Sequence, residues 1–401
     1  MSYYSSIYGD LPKEYTKARY DSVAQLFALK FGKVEAVFTA SGRCELLGNH
    51  TDHNNGKVLV SAINRDIIGF AKKNNTDVIN IISDFGQICL NCNEIAKRQD
   101  EINTSLAIVR GILKGFSNNN YIKSGFDCVC SSNIPYASGL SSSAAFEILI
   151  GNILNGLFNN NSIGKMQLAK IGQYAENEYF GKPCGLLDQC GVSYGKLSYI
   201  DFANPSDILV KTLSVKLDRQ ILLIKTLDDH AKLGAYYAQI KDDMVSVAKI
   251  FGKNYLRQVD EQEFMAYYNC HEKTRELKRS FHFFNENNRV ELAYTALTKG
   301  DLPTFYNLVN QSGISSRDYL GNCSIDNETN SPLLAIIEGV KDIYPDCAVR
   351  VHGGGFRGSV LAFVNKDAKK QLILEQKFGK ENILEVGFNI SLAQIEIDKL
   401  F

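Results

Sequence analysis

The densest run of polar side chains that could bind a ligand lies near residue 50. Residues 42–56 read GRCELLGNHTDHNNG and stand between two apolar, strand-like stretches. Hydrogen-bonding groups gathered in this way suit a polyhydroxyl ligand, because such a site rejects ligands that leave its groups unpaired. A polar turn with capping residues would have a similar sequence. His50 and His53 could also bind a metal, but the segment indicates no third ligand.

Two glycine-bearing segments could approach a phosphorylated ligand closely. Residues 135–145 read PYASGLSSSAA and lead into a predicted helix, whose N-terminus would offer backbone N–H groups and a positive dipole. The serine hydroxyls could bind phosphate oxygens or Mg²⁺, although the run lacks the lysine of a Walker loop. Residues 352–359 read HGGGFRGS, and their glycines would let the backbone approach a ligand. A capped helix and a tight hairpin are the respective alternatives.

A fourth segment centres on an acidic residue. Residues 184–189 read CGLLDQ, so that Asp188 is flanked by apolar residues and a glycine. Taken alone, this pattern favours a hydrogen-bonded carboxylate in a turn over a catalytic one.

The elements that must position these segments indicate a strand-rich front and a helix-rich back. β-branched and aromatic residues predict strands at 34–39, 58–63, 67–71, 78–82, 126–131, 199–201, 208–215 and 220–225. Apolar patterns predict helices at 143–158, 162–180, 231–250, 261–284, 289–298 and 302–311, then strands at 348–351 and 360–364, a helix at 366–378 and a strand at 382–387. We therefore expect an α+β protein of two lobes, with an N-terminal domain over residues 1–205 and a C-terminal domain over residues 206–401.

Composition narrows the class of protein. The 401 residues contain 44 Lys and Arg against 44 Asp and Glu, which disfavours a nucleic-acid binder or a membrane-surface protein that relies on bulk positive charge. No run approaches the roughly 18 apolar residues of a membrane-spanning helix, and the first residues do not have the pattern of a signal peptide. The ten cysteines form no regular framework, which predicts reduced thiols and a cytoplasmic location.

Together, the four segments resemble the galactokinase branch of the GHMP small-molecule kinases. In that branch the corresponding motifs are GRxNLIGEHTDYNxG, PxxxGLxSSA, CGIMDQ and GGGFGG, in the same order, and the helical stretch 289–318 fits as well. The resemblance implies the two-lobed fold of that family, with the active site in the cleft between the lobes. It also implies transfer of the γ-phosphoryl group of ATP to the anomeric hydroxyl of a galactose-type sugar.

The resemblance implies roles for individual residues. Asp188 would orient or deprotonate the sugar hydroxyl, and Arg43 would stabilise charge on the transferring phosphoryl group. Ser143 and Glu176 fall at the Mg²⁺ ligands of the family. The implied sugar-binding residues are Asn49, His50, Thr51, Asp52, Gly185 and Tyr237. The implied nucleotide-binding residues are Ala137, Ser138, Gly139, Leu140, Ser141, Ser142, Ser143, Gly353, Gly354 and Gly355. The expected partners are therefore a sugar and a nucleotide, and we expect a monomer or weak homodimer.

The chain departs from the pattern of the family at several of these positions. A tryptophan and a tyrosine near the adenine are replaced, so that strict preference for ATP does not follow from the resemblance. In the sugar segment a glutamate becomes the neutral Asn49, which would tolerate a carboxylate at carbon 6 of the sugar. The residues that depart from the pattern are Glu45, Asn49, His53, Ser105, Ile108 and Arg357.

Three alternatives to galactose phosphorylation remain open at this point. The change to Asn49 predicts galacturonate or a related acid sugar as an alternative acceptor. A second alternative is a catalytically inactive sugar sensor, which the presence of both catalytic residues and both metal ligands disfavours. A third is another acceptor of the GHMP kinases, such as mevalonate or homoserine, which the histidine–aspartate segment near residue 50 disfavours.

Overall fold

The computed structural model describes Tyr8 and residues 13–135, 138–226, 233–325, 328, 330–388 and 394–395. Within these residues the chain forms one sheet of eight strands and one of four. The larger sheet has the order β12-β1-β2-β5-β3-β4, and β6 pairs with both β2 and β7. Its strands are β1 (Ala36–Leu47), β2 (Lys57–Lys73), β3 (Val78–Ser83), β4 (Gly86–Asn91), β5 (Phe126–Ser132), β6 (Leu197–Asp201), β7 (Leu209–Leu213) and β12 (Gln394–Ile395).

The smaller sheet is antiparallel, in the order β11-β8-β10-β9. Strands β9 and β10 form a hairpin, and its turn carries the glycines of residues 353–358. The glycine-rich segment is therefore both a hairpin turn and a place where the backbone can approach a neighbour. The strands of this sheet are β8 (Gln220–Lys225), β9 (Ala348–His352), β10 (Ser359–Val364) and β11 (Ile383–Val386).

Helices cover both sheets. The α-helices are α1 (Lys13–Phe31), α2 (Ser105–Asn118), α3 (Ser142–Phe158), α4 (Lys165–Tyr174), α5 (Leu187–Tyr194), α6 (Gly234–Ile250), α7 (Glu261–Cys270), α8 (Arg275–Lys299), α9 (Leu302–Ser315), α10 (Pro332–Ile343) and α11 (Ala368–Phe378). Helix α4 continues into a π-helical turn, Ala175–Phe180, and α9 into another, Ser316–Leu320. None of the helices among the described residues has the length and apolar character needed to cross a lipid bilayer.

The two lobes share a continuous apolar core. Leu46 of β1, Leu223 of β8, Phe305 of α9 and Leu361 of β10 belong to one buried cluster. Strands β7 and β12 follow residue 205 in the chain and yet pair within the larger sheet. The α+β fold of two lobes is confirmed, whereas the division of the chain at residue 205 stays a prediction.

Two predicted segments differ from the observed elements for identifiable reasons. The helix predicted at 261–284 is interrupted after Cys270, because the Thr274 side chain accepts a hydrogen bond from the Leu277 N–H and starts α8 there. That helix then includes the predicted helix 289–298. The strands predicted at 58–63 and 67–71 are one strand, β2, which runs through the polar residues 64–66. Helices α1, α2, α5 and α10 and strand β4 were not predicted, and α5 carries Asp188.

Candidate functional site

Arg43 and Asp188 form an ion pair where β1, helix α5 and the loop before α3 meet. Arg43 Nη2 lies 2.7 Å from Asp188 Oδ1, and Arg43 Nε donates to the same oxygen at 2.8 Å. The Arg43 side chain is 7% exposed and also donates to the carbonyl oxygen of Gly139. Its backbone N–H donates to the carbonyl oxygen of Leu140 at 3.1 Å. The arginine is therefore fixed on one side by the loop and on the other by the aspartate.

Asp188 lies in the first turn of α5 and is 26% exposed, more than its arginine partner. Ser141 Oγ donates to Asp188 Oδ2 at 2.5 Å. Burial by itself would raise the pKa of Asp188, but the charge of Arg43, the hydrogen bond from Ser141 and the charge of Lys182 together hold it below its ordinary value. The carboxylate is therefore ionised at neutral pH and can accept a hydrogen bond from a ligand.

The loop that resembles a phosphate loop has a backbone built for close approach. Gly139 and Ser141 have φ angles of +72° and +59°, so two residues of the loop adopt the left-handed region. Ser141 is the N-cap of α3, with its side chain directed to Asp188 rather than to the helix. The N-terminus of this helix, with Ser142 and Ser143 in its first turn, suits an anionic ligand. Ala137 lies outside the described residues.

The residues predicted to hold a metal lie next to each other. Ser143 Oγ donates to Glu176 Oε1 at 3.2 Å, and Glu176 is buried in the π-helical turn that follows α4. A hydroxyl and a carboxylate are the hard oxygen donors that Mg²⁺ prefers, with phosphate oxygens and waters as its other ligands. Among the described residues, no three His, Cys, Asp or Glu side chains converge on one metal position. A Ser143–Glu176 pair therefore fits a Mg²⁺ ion that enters with a phosphate, better than it fits a metal held by protein alone.

A second carboxyl group stands beside this pair. Gln189 Nε2 donates both to Glu176 Oε2 at 2.8 Å and to Glu147 Oε2 at 2.9 Å. Burial first, and then the charge of Glu176, raise the pKa of Glu147 well above its ordinary value. Its Oε1 atom is buried without a hydrogen-bond partner. Glu147 thus provides a further oxygen next to the predicted metal site. The sequence offered a weak signal for it, since Glu147 follows Ser143 by one helical turn.

Asp52 approaches the loop before α5 so closely that only glycine fits opposite it. A Cβ atom built at Gly185 would lie 1.7 Å from Asp52 Oδ2, far inside any permitted contact. The backbone N–H groups of His53 and Leu187 donate to the Asp52 carboxylate at 2.9 and 3.4 Å. Burial first, and then the negative charge of Asp188, raise the pKa of Asp52 to about 6. Because residue 185 is a glycine, the loop that carries Asp52 can lie directly against the loop before α5.

His50 and Tyr237 border the same region. His50 Nε2 lies 2.9 Å from the carbonyl oxygen of Gly354, so this nitrogen carries the proton and donates. Burial lowers the pKa of His50 to about 4, and the ring is therefore neutral. Its other nitrogen lies 3.4 Å from His53 Nε2, and the Tyr237 ring centroid is 6.1 Å from its own. The two histidines thus contact each other within a hydrogen-bonded loop.

The glycine-rich hairpin turn at residues 353–358 contacts the predicted sugar-binding residues. The carbonyl oxygens of Gly353, Gly354 and Gly355 accept hydrogen bonds from Asn49 Nδ2, His50 Nε2 and the Tyr237 hydroxyl, at 2.6, 2.9 and 3.4 Å. Strand β10, which follows this turn, also contacts the loop before α3, because Ser359 Oγ donates to the carbonyl oxygen of Ser138 at 3.1 Å. These three glycines therefore link the loops, and their predicted contact with a nucleotide stays a prediction.

Asn49 and Thr51 have no exposed surface. Asn49 Nδ2 donates to Glu45 Oε1 and to Gly353, while Asn49 Oδ1 accepts from Ser316 and Asn322. The Thr51 hydroxyl lies within 2.9 Å of one backbone carbonyl oxygen and 2.7 Å of another. Their polar groups thus fix the loop in its shape. A direct sugar contact by either side chain stays a prediction, and it would require one of these hydrogen bonds to break.

Glu45 and Arg357, two of the residues that depart from the pattern of the family, each have an ionic partner. Arg350 is fully buried, and its Nη2 donates to Glu45 Oε1 at 3.0 Å, across the two lobes. Arg357 makes a two-pronged contact with Glu328, at 2.9 and 3.0 Å. Glu45 therefore joins β1 to β9, whereas Arg357 is held by a carboxylate on the loop before α10.

Two family models match the chain. The GHMP kinases N terminal domain matches residues 107–196, and the galactokinase galactose-binding signature matches residues 25–73. These regions contain α3, Asp188 and the residue-50 loop.

Relatives named galactokinases have similar sequences, and solved structures share the fold. A galactokinase of Clostridium beijerinckii is 29% identical over 92% of this chain and 95% of its own length. A galactokinase of Clostridium tetani is also 29% identical, over 82% and 84% of the two chains. The structure of Lactococcus lactis galactokinase complexed with galactose has a TM-score of 0.81 over 94% of this chain and all of its own, at 24% identity. A mevalonate kinase structure has a TM-score of 0.60 at 18% identity.

Proposed function

We propose that the chain is a member of the galactokinase branch of the GHMP kinases and that it transfers the γ-phosphoryl group of ATP to the anomeric hydroxyl of galactose. The products are galactose 1-phosphate and ADP. The observation that carries this proposal is the Arg43–Asp188 ion pair, 2.7 Å long, between the helix-terminal serine loop and the loop of Asp52. The ion pair therefore lies between the serine loop, which suits a phosphate, and the loop of Asp52, which suits sugar hydroxyl groups.

The chemistry follows from the charges at this pair. The anomeric oxygen attacks the γ-phosphorus while the bond from that phosphorus to the bridging oxygen breaks, and ADP leaves with the bond electrons. Asp188, ionised at neutral pH, accepts the proton of the attacking hydroxyl. Arg43 faces the developing negative charge with a guanidinium that is already fixed in place. A Mg²⁺ ion bound by Ser143 and Glu176 would neutralise charge on the nucleotide phosphates.

We also propose which cofactors the protein uses, where in the cell it is located and how it assembles. ATP is the nucleotide of the family, and the Ser143–Glu176 pair supports Mg²⁺ as its ion. The scattered free cysteines support a cytoplasmic location, with eight of the ten side chains buried or half-buried at positions that include Cys44 and Cys190. A monomer or weak homodimer remains our expectation for the assembly.

The test is sugar-dependent release of ADP, measured with galactose, glucose, galacturonate and mevalonate. We expect kcat/KM for galactose to exceed that for each other acceptor by at least about 100-fold, because the site discriminates through hydrogen bonds that a wrong acceptor leaves unpaired. Phosphorus NMR of the product should show an anomeric phosphate. A higher kcat/KM for galacturonate than for galactose would identify an acid sugar as the acceptor instead of galactose. Galactose binding by calorimetry without turnover would make the protein a sensor and contradict the proposal.

The titration of Asp52 gives a prediction for the pH dependence. Its pKa is raised to about 6, so the carboxylate that would accept sugar hydroxyl hydrogens is ionised above pH 7 and protonated below pH 5. We expect kcat/KM for galactose to be constant above pH 7 and to fall about tenfold per pH unit below 6. The Asp52→Asn variant should have a lower value and no inflection near pH 6. An unchanged inflection in that variant would assign the titration to another group.

A further inference from the structure

Lys182 is a cation of the site that belongs to none of the four motifs and has no part in the reaction as described above. It follows the π-helical turn, and Gly181, with a φ of +88°, reverses the chain so that the Lys182 backbone N–H donates to the Glu176 carbonyl oxygen at 3.2 Å. The Lys182 ammonium donates to Glu176 Oε1 at 2.9 Å. The residue is therefore attached at both ends to a predicted Mg²⁺ ligand.

The Lys182 ammonium is exposed and makes one hydrogen bond, whereas the other cation of the site is buried and makes several. The Lys182 side chain is 53% exposed, while that of Glu176 is 1% exposed. Lysine carries a compact charge on a flexible four-carbon stem. Arg43, by contrast, is buried and held by Asp188 and by the Gly139 carbonyl oxygen. A displacement of the Lys182 ammonium would break one hydrogen bond, the one to Glu176.

The charges around Lys182 show where its ammonium would go when ligands enter. Two carboxylates, Glu176 and Asp188, attract it in the protein alone, and its charge contributes to the lowered pKa of Asp188. A Mg²⁺ ion bound at Ser143 and Glu176 would neutralise its present partner and repel the ammonium. The phosphate bound next to that ion would then be the anion within reach. In the proposed reaction the terminal phosphate would be the one nearest to Asp188, because that residue would face the attacking hydroxyl.

We propose that Lys182 binds an oxygen of the terminal phosphoryl group of the nucleotide when the Mg²⁺–nucleotide complex occupies the site. The inference rests on the proposed function. Lys182 forms no covalent bond and transfers no proton; its ammonium supplies a charge and hydrogen bonds to the phosphoryl group as that group moves to the sugar oxygen. It therefore favours ATP over ADP and stabilises the transfer, as a movable partner to the fixed Arg43.

The test separates contact with the terminal phosphate from simple neutralisation of Glu176. Lys182→Met keeps most of the stem and removes the charge, and calorimetry without sugar measures its affinity for Mg²⁺–ATP and Mg²⁺–ADP. We expect the Kd for ATP to rise about tenfold and that for ADP to change less than about twofold, with kcat lowered about 10- to 100-fold and the sugar KM unchanged. Lys182→Arg should restore most of the affinity for ATP.

Lys216→Met is the matched control, because it removes the same charge from an exposed lysine in the segment between β7 and β8. It should bind both nucleotides as the wild type does. Equal weakening of ATP and ADP binding by Lys182→Met, or no weakening of ATP binding, would overturn the inference. Absence of sugar-dependent turnover in the wild type would instead contradict the proposed function, and the comparison of ATP with ADP binding would still be readable.

Discussion

Replacement of Asp188 by asparagine is expected to lower kcat for galactose about 10³-fold while changing the sugar KM less than a few fold. The amide has the shape of the carboxylate, and its one oxygen can still accept from Arg43 while its NH2 group donates to the Ser141 hydroxyl oxygen. It carries no charge to accept a proton from the attacking hydroxyl, and general-base catalysis of this kind contributes about 10² to 10⁴ in rate. The measurement is steady-state ADP release, with sugar binding measured separately by calorimetry.

A second aspartate–arginine pair provides the control for this prediction. Asp201, at the end of β6, accepts from Arg257 Nη2 at 2.9 Å and is 15% exposed. Asp201→Asn removes the same charge from a similar pair outside the site, and kcat should stay within about twofold of the wild-type value. If Asp188→Asn retained more than a tenth of the wild-type kcat, Asp188 would not be the base. Asp52, with its pKa of about 6, would then be the next carboxylate to test.

The residues that the motifs singled out lie together in the structure. Arg43, Ser143, Glu176 and Asp188 come from four separate parts of the chain, and hydrogen bonds join them in pairs. Their approach was implied by the resemblance to the family, and Glu176, which lies in none of the four segments, was placed by that resemblance alone. Asp188 shows the limit of local pattern, since its own hexapeptide favoured an ordinary turn. Its meeting with Arg43 followed only from the resemblance of all four segments.

Side chains outside the motifs could not be predicted in the same way. Glu147 and Lys182 gain their significance from Glu176, which contacts one through Gln189 and the other directly. Nothing in a linear pattern distinguishes a lysine beside a buried glutamate from the exposed lysines elsewhere in the chain. Pairing across the fold, rather than residue type, makes these groups part of the site.

The continuation of β2 through its polar centre has a similar explanation. Residues 64–66 read Asn-Arg-Asp and would ordinarily end an apolar strand. Asp66 is buried, however, and accepts hydrogen bonds from Tyr8, Thr39 and Arg19 at 2.6, 2.5 and 2.8 Å. A buried carboxylate is tolerated when donors surround it, and these donors come from distant parts of the chain. The pattern of β2 alone could not contain that information.

The largest expected effect on stability comes from Arg350→Met. Arg350 is fully buried and donates to the carbonyl oxygens of Leu46 and Val351, each at 2.9 Å, and to Glu45 Oε1 at 3.0 Å. The substitution leaves the buried Glu45 carboxylate without its cation, and removal of one partner of a buried pair typically costs about 3–5 kcal/mol. We expect the midpoint of thermal unfolding, measured by calorimetry, to fall by about 4–6 °C.

Two further variants show whether the unpaired charge causes this loss. Arg317→Met removes an arginine from an exposed pair with Asp318, 2.6 Å long, and should cost no more than about 1 kcal/mol. Adding Glu45→Gln to Arg350→Met removes the stranded carboxylate while an amide can still accept from Asn49, so the double variant should unfold at a higher temperature than Arg350→Met alone. An Arg350→Met protein as stable as the Arg317→Met protein would contradict the prediction. Recovery in the double variant would assign the loss to the unpaired carboxylate of Glu45, whose Oε1 accepts from both Asn49 and Arg350 in the wild type.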